Sequence, residues 1–497
     1  MPALPSRIVD LHTHLFNARC LPLAGIFANA LNLDADQCPL ARGLAKLVNL
    51  LAEPYLTADR YSLGGADTAW YVNQLADLAV AEFERPFLHA NNADKARLLA
   101  SPQAQESEIA ICIGELERAL NELDAIASGA AGLLAPASRN PLGWVRNVVT
   151  RALNKLQQLA DTVRDGVGEI EDYVAFTFNM LASEKHMAQT LIKRYGDGLP
   201  DLEFVHHMMD MQQAYVGGGT TEKMVAPLYP FYDAQLLRMR DLARQLDGKV
   251  CGFAAFDPRR PNWREIMDSA IAKGFSGVKF YTAMGYLPIG NTSPEIEKRV
   301  LGFFRLCIEK DLPVFTHCTP VGFETRHHKG LNADPRNWEK LLQANDGEFA
   351  KLRLCFGHAG GGNVTHLGHH SAGWTANPAE WENRDNYAYK VARLCAAYPN
   401  VYCEFAYITE LFEGTPQAQQ QARERFVANL IGVVNASKNG KYELSTKIAY
   451  GSDWNMPSMT KHPREYLNVF LELFGTGELA AYREEFFWKN AYRFLKR

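Results

Sequence analysis

The chain has 497 residues, 47% of them hydrophobic, and a formal net charge of −4, which describes an ordinary soluble globular protein. With no basic stripe it leaves no electrostatic footprint for nucleic acid, and no apolar run approaches the ~18–20 residues of a membrane span. The nine cysteines are scattered without paired spacing, with Cys251, Cys355 and Cys403 in apparent core strands; this suits reduced thiols in the cytoplasm better than a disulfide scaffold.

The opening residues, Met1 to Arg7, lack an apolar signal core. They lead at once into Ile8-Val9-Asp10-Leu11-His12-Thr13-His14-Leu15-Phe16, a run bounded by Pro5 and Asn17 that reads as a buried strand. Side chains two apart on a strand point the same way, so His12 and His14 are expected to share a face with Asp10 and Ile8. Their Cα atoms would lie about 6.6 Å apart, and both imidazoles could then converge on one ion at about 2.0–2.1 Å. Alone, a His-x-His pair reads more simply as two unrelated histidines. Residues 20–200 carry no strong strand signal and are too many for a structureless loop. Leu116, Leu120 and Leu123, and then Val145, Val148, Val149, Ala152, Leu153, Leu156 and Leu159, recur at three- and four-residue intervals, as amphipathic helices require. Gly129-Ala130-Ala131-Gly132 and Pro136 to Pro141 read as a break between them.

From about residue 200, strands alternate with helical segments such as Trp263 to Lys273. The strand candidates are 202–209, 249–256, 277–281, 312–317, 352–358, 401–405 and 447–453. With the opening strand they number eight, the expectation for an α/β chain closing as a (β/α)8 TIM-like barrel. No Gly-rich phosphate fingerprint follows the first strand, which argues against an open doubly wound sheet. The expected organisation is a first barrel strand in 1–19, a large, mainly helical insertion in 20–200, and the rest of the catalytic barrel in 201–497. The insertion would cap the catalytic domain, and a role in forming a homo-oligomer is open to it.

Chemistry in such a barrel sits at the carboxyl ends of the strands. Five of the eight candidates end on residues with ligand chemistry: His12 and His14 on the first, Lys279 on the fourth, His317 on the fifth, His358 on the sixth and Asp453 on the eighth. Singly, His317 or His358 reads as a satisfied core histidine, Asp453 as a helix cap or turn residue, and Lys279 as a buried ion-pair partner. Together, in barrel order, they point to a metal site.

Val9-Asp10-Leu11-His12-Thr13-His14, Gly277-Val278-Lys279-Phe280-Tyr281, Thr316-His317-Cys318, Gly357-His358-Ala359-Gly360-Gly361 and Tyr450-Gly451-Ser452-Asp453-Trp454 resemble the strand-end motifs of the amidohydrolase superfamily. The closing stretch, Trp488 to Leu495, resembles the terminal helix of its amidohydrolase-related branch, which also holds non-oxidative decarboxylases. The resemblance covers the first strand and about residue 200 to the end; the stretch between departs from the family's compact barrel. It implies a divalent metal held by His12, His14, His317 and Asp453. Asp453 would move a proton from an attacking water to the leaving group, and His358 would hydrogen-bond the substrate carbonyl or the developing oxyanion. Zinc is the favoured ion for mixed imidazole and carboxylate donors, and manganese or iron also accept them. In binuclear relatives a carboxylated lysine bridges two ions, a place that Lys279 matches. The Gly-His-Ala-Gly-Gly surroundings look more like the mononuclear branch, so one ion is preferred to two, and Lys279 would contact a substrate carboxylate or oxyanion.

Loops on this face bind substrate in barrel enzymes. Tyr281 and Tyr286 after strand four, and Arg326, His327 and His328 beside Glu324 after strand five, are the candidates; Arg326 could clamp a carboxylate bidentately. His366, His369 and His370 follow strand six. Glu404 in strand seven is a supporting or substrate-facing candidate, Asp10 a hydrogen-bond anchor beneath the histidines, and His206 and His207 are read as structural. The expected function is metal-dependent hydrolysis of a small molecule, at an amide, cyclic amide, ester or lactone, by a metal-activated water. Non-oxidative decarboxylation on the same scaffold is the rival, and a non-catalytic binding barrel the third reading.

Overall fold

A computed structural model describes residues 4–31, 33–54, 68–88, 90, 92–99, 101, 104, 106–128, 140–163, 176, 178–323, 329–456, 459 and 462–497. The chain divides into two compact units. One comprises Met1–Leu15, Ala188–Asp210 and Tyr232–Arg497; the other comprises Phe16–Met187 and Met211–Phe231. The expected boundaries, after 19 and after 200, fell 4 and 13 residues later than those after Leu15 and Met187, and the sequence did not show that 211–231 groups with the helical stretch rather than with the strands.

The first unit is built on eight strands: β1 (Arg7–Thr13), β2 (Asp201–His207), β3 (Val250–Phe256), β4 (Gly277–Phe280), β5 (Val314–Thr316), β6 (Leu354–Phe356), β7 (Val401–Phe405) and β8 (Ile448–Tyr450). They lie in sequence order in one sheet and every neighbouring pair is parallel. β8 returns to β1 through a parallel bridge between Thr13 and Trp454, and the Asp453 N–H donates to His12 O at 2.8 Å. Helices alternate with the strands, among them Leu236–Gln245, Trp263–Ala272, Pro294–Glu309, Pro335–Gly347, Tyr387–Ala397 and Pro416–Ser437. Several start where the sequence supplies a cap followed by proline: Ser293, Asp334 and Thr415 each accept an N–H of the first turn, and proline at the first helical position forfeits no intrahelical bond. The expected (β/α)8 barrel is the observed fold.

The barrel interior is apolar toward the amino ends of the strands. Val9, Leu11, Val205, Cys251, Phe253, Phe315, Cys355, Tyr402 and Ala449 pack with Ala491, Phe494 and Leu495 of the final helix, Asn490–Leu495. The Phe494 ring lies 6.0 Å from Phe253 and 5.6 Å from Tyr402, and Asn490 Nδ2 donates to Ser445 O and Ile448 O at 2.8 Å. Burying a phenylalanine in this way is worth about 1.5–3 kcal/mol. The floor is thereby sealed, which leaves polar chemistry to the opposite mouth. All nine cysteines are buried and none forms a disulfide.

The second unit is helical in its described residues, with Leu23–Ala30, Pro39–Leu51, Thr68–Glu84, Glu108–Ser128 and Pro141–Val163 as its main elements. Leu116, Leu120, Val145, Val148, Val149 and Ala152 are buried, which is the face the three- and four-residue spacing marks. Gly43 lets two of these helices approach closely: a Cβ there would stand 2.8 Å from the Leu116 side chain. The expected break at 129–139 lies outside the described residues. Among the described residues, no helix is long and apolar enough to cross a membrane.

Candidate metal centre

Strict alternation along β1 would not bring His12 and His14 into the barrel. Val9 and Leu11 face the interior, so their neighbours two residues on would follow them and the even-numbered side chains would point out. The pairing with β2 breaks that parity: Asp10 lies opposite Phe204 and Thr13 opposite His206, three steps on β1 against two on β2. The extra residue is a bulge, a device that re-aims side chains beside functional sites. Beyond it the His12 ring lies inside, 4.7 Å from Phe315 and 5.1 Å from His207. Asp10 stays outside and does not share their face. Its carboxylate accepts from Tyr195 Oη at 2.7 Å and from Ser452 Oγ and N at 2.6 and 2.9 Å, pinning β1 to the segment after β8. Burial pushes the Asp10 carboxyl up to about 6, against the pull of these donors.

Each β1 imidazole is held by its Nδ1. His12 Nδ1 meets Glu404 Oε1 at 2.8 Å and His14 Nδ1 meets His207 O at 2.9 Å. An acceptor at Nδ1 assigns the proton there, so in the neutral ring Nε2 presents its lone pair. Both Nε2 atoms turn to one carboxylate oxygen, Asp453 Oδ1, at 3.2 Å from His12 and 3.3 Å from His14. Donors placed tetrahedrally around an ion at about 2.0–2.1 Å stand about 3.3 Å from one another. Burial holds the His12 pKa well below the usual imidazole value, so a proton is a poor occupant of that gap. Two lone pairs and a carboxylate facing inward, all buried and gathered within 4.8 Å, are a donor set that fits a divalent cation. Asp453 reaches this place on a left-handed backbone, φ 61°.

The histidines after β5 and β6 are arranged differently, although the His358 ring lies 5.0 Å from His12 and gathers with it and Glu404 as a second donor group. His317 and His358 face each other, Nδ1 to Nε2, at 3.1 Å. His358 Nδ1 lies 3.1 Å from Ala406 O, and His317 Nε2 lies 2.5 Å from Val321 O. The resemblance implied His317 as a fourth ligand; here both its nitrogens are turned to other partners, and it is absent from the donor groups that gather among the described residues. Tyr281 stacks on His317 at 4.9 Å, with its hydroxyl accepting from Phe323 N at 2.8 Å. Gly322, φ 149°, passes so close that a Cβ would lie 2.4 Å from His317 Nε2. His358 also sits on a left-handed backbone, φ 60°. Burial lowers the pKa of both imidazoles.

Between the two sides lies Lys279, on β4 and buried. Its Nζ is 3.2 Å from His12 Nε2 and 4.4 Å above the Phe315 ring. Burial brings its pKa down to about 8 against the pull of Asp453 and Glu404, so the ammonium remains the main form at neutral pH. Glu404, fully buried on β7, holds more of the site than its sequence suggested. Its Oε1 accepts from the His358 N–H at 2.8 Å as well as from His12. The available signal was a lone carboxylate in the apolar run Val401-Tyr402-Cys403-Glu404-Phe405.

The other candidates scatter. Tyr286 is buried with its hydroxyl donating to Phe256 O at 3.0 Å. His366, His369 and His370 belong to a hairpin of Val364–His366 with His369–Ser371, where His369 and His370 are exposed. His206 accepts from Leu15 N at 2.8 Å, and His207 Nε2 lies 2.8 Å from Leu11 O, both as structural partners. Glu324, Arg326, His327 and His328 lie outside the described residues.

Comparison with known proteins places the chain in a family. No curated protein matches the chain. Among solved structures, a probable 2-pyrone-4,6-dicarboxylic acid hydrolase from Acinetobacter baumannii is similar at 15% identity and a TM-score of 0.38, over 63% of this chain and 89% of that one. A 5-carboxyvanillate decarboxylase from Novosphingobium aromaticivorans, with bound manganese, is similar at 11% identity and 0.36, over 63% and 84%. An amidohydrolase from Burkholderia multivorans, with bound zinc, is similar at 13% and 0.35, over 60% and 84%. Likeness at this level leaves substrate and reaction open. The family model described as amidohydrolase matches residues 209–497, more than half of the chain, and the chain belongs to that family.

Proposed function

We propose that this protein is a metal-dependent hydrolase of small molecules, acting on an amide, cyclic amide, ester or lactone. The observation that carries the reading is the buried convergence of His12 Nε2, His14 Nε2 and Asp453 Oδ1, with the Nδ1 of each imidazole tied to an acceptor. A divalent cation held there, zinc by the chemistry of the donors and manganese or iron as alternatives, supplies Lewis acidity and a water acidified toward a pKa of about 7. One ion is preferred to two because the remaining imidazoles of the mouth are turned to each other. Asp453 takes a proton from the water as its oxygen bonds to the carbonyl carbon, and returns that proton to the nitrogen or oxygen whose bond to carbon breaks. His358 hydrogen-bonds the carbonyl oxygen as charge grows on it. Lys279 serves as a fixed positive charge beside the same oxygen or a substrate carboxylate.

That lysine also favours a second reading, non-oxidative decarboxylation, since a buried ammonium beside the donors suits a carboxylate-bearing substrate. Elemental analysis of the purified protein, with a panel of lactones, amides and aromatic acids assayed in 18O-labelled water, tests both. Close to one ion per chain and label in the product support hydrolysis; release of CO2 without label transfers the site to decarboxylation. Protein that neither carries nor takes up metal, and turns nothing over, is a binding barrel.

A further inference from the structure

We infer that Glu404 is a positioning residue that joins the two sides of the mouth, one carboxylate oxygen orienting His12 toward the metal and fixing the backbone that carries His358. The inference rests on the metal-dependent reading above and adds to it a residue outside the strand-end motifs quoted for this chain. Glu404 is fully buried, and an acidic group in a dry barrel wall is costly unless its partners need it. Its Oε1 takes two N–H donors at 2.8 Å, His12 Nδ1 and His358 N. Among the described residues its Oε2 has no hydrogen-bond partner. That oxygen lies against Gly451, where a Cβ would stand 2.2 Å from Oε2 and 3.0 Å from His12 Cβ. A glycine on β8's extension thus makes room for a carboxylate from β7 whose bonds run to β1 and to the turn after β6.

Two consequences follow from that single oxygen. A carboxylate behind Nδ1 fixes the tautomer and ring plane of His12 and raises the basicity of Nε2, the atom turned to Asp453. The same oxygen holds the His358 N–H at a backbone of φ 60°, which aims Nε2 of that ring at His317. Losing Glu404 is therefore expected to loosen both the donor set and its counterpart across the mouth. A carboxylate serving only the wall would affect neither.

The test uses the full chain stripped of metal and titrated with Zn2+ against a chelator, with the visible absorption spectrum of the Co2+-loaded form as a second readout. Glu404→Gln preserves shape and replaces the acid by an amide; the zinc Kd should weaken about 10–100-fold and the cobalt bands should shift, while the metal-free protein melts no earlier than wild type. Should Glu404→Gln fail to fold, Glu404→Asp, which keeps the charge but falls short of both donors, is read by the same two measurements. A variant with wild-type Kd and wild-type cobalt bands overturns the positioning role and leaves the metal reading intact. Wild-type protein that binds neither ion overturns the metal reading, and this inference with it.

Discussion

The two sides of the barrel mouth present the same side chain in opposite senses. On β1, His12 and His14 give Nδ1 to Glu404 and to His207 O and turn Nε2 to Asp453. After β5 and β6, His317 and His358 give their outer nitrogens to backbone carbonyls and turn the inner ones to each other. Four buried imidazoles in one small space thus divide into two that face a carboxylate and two that face one another. The first gathers two imidazole nitrogens around a carboxylate and suits a cation. The second has no carboxylate between its rings and is the pair proposed to hydrogen-bond a substrate. Identical chemistry is given different roles by the atom that sits behind each ring.

The division is broken most severely on the β1 side. His12→Ala or His14→Ala removes one of three gathered donors, and elemental analysis should find the variant without its metal and without turnover; full metal content would contradict the site. Asp453→Asn should come next, with kcat reduced by about 10²–10⁴-fold and a melting temperature within a few degrees of wild type; an unchanged kcat would remove its proton-transfer role. Across the mouth, His358→Ala is expected to cost about 10²–10³-fold in kcat, as for loss of one oxyanion donor, with metal retained. His317→Ala sharpens the boundary: retained metal keeps His317 on the hydrogen-bonding side, whereas loss of metal moves it into the ligand set. The smallest effect is expected at Gly451→Ala, where a methyl pressed against Glu404 should cost about 1–3 kcal/mol of stability in denaturant unfolding. A neutral outcome there would mean that the wall yields more easily than its packing suggests.

Much of the barrel was legible along the chain because it is written in short-range patterns. Apolar runs such as Val250 to Phe256 and Val401 to Phe405 become strands wherever turn residues bound them, and their order in the sheet follows their order in sequence. Strand-end residues were legible for the same reason, since a (β/α)8 barrel puts them at one mouth. The face shared by His12 and His14 was anticipated, but Asp10 was expected on it, and the structure sets Asp10 outside. A bulge is defined by the pairing of β1 with β2, whose residues lie nearly two hundred positions away. The contact between His12 and Glu404 spans 392 positions, a distance over which no periodicity carries information.

The amino-acid sequence by itself determined that eight parallel strands would alternate with helices and that their carboxyl ends would carry histidine, lysine and aspartate, because hydrophobic spacing acts locally. Only the tertiary structure decided which way those ends point. The bulge that turns two imidazoles inward, the single oxygen of Glu404 that serves both His12 and His358, and the partners that rotate His317 toward His358 all depend on which strand lies beside which. Those pairings arise when the sheet closes, and they set the aim of each nitrogen to within a hydrogen bond.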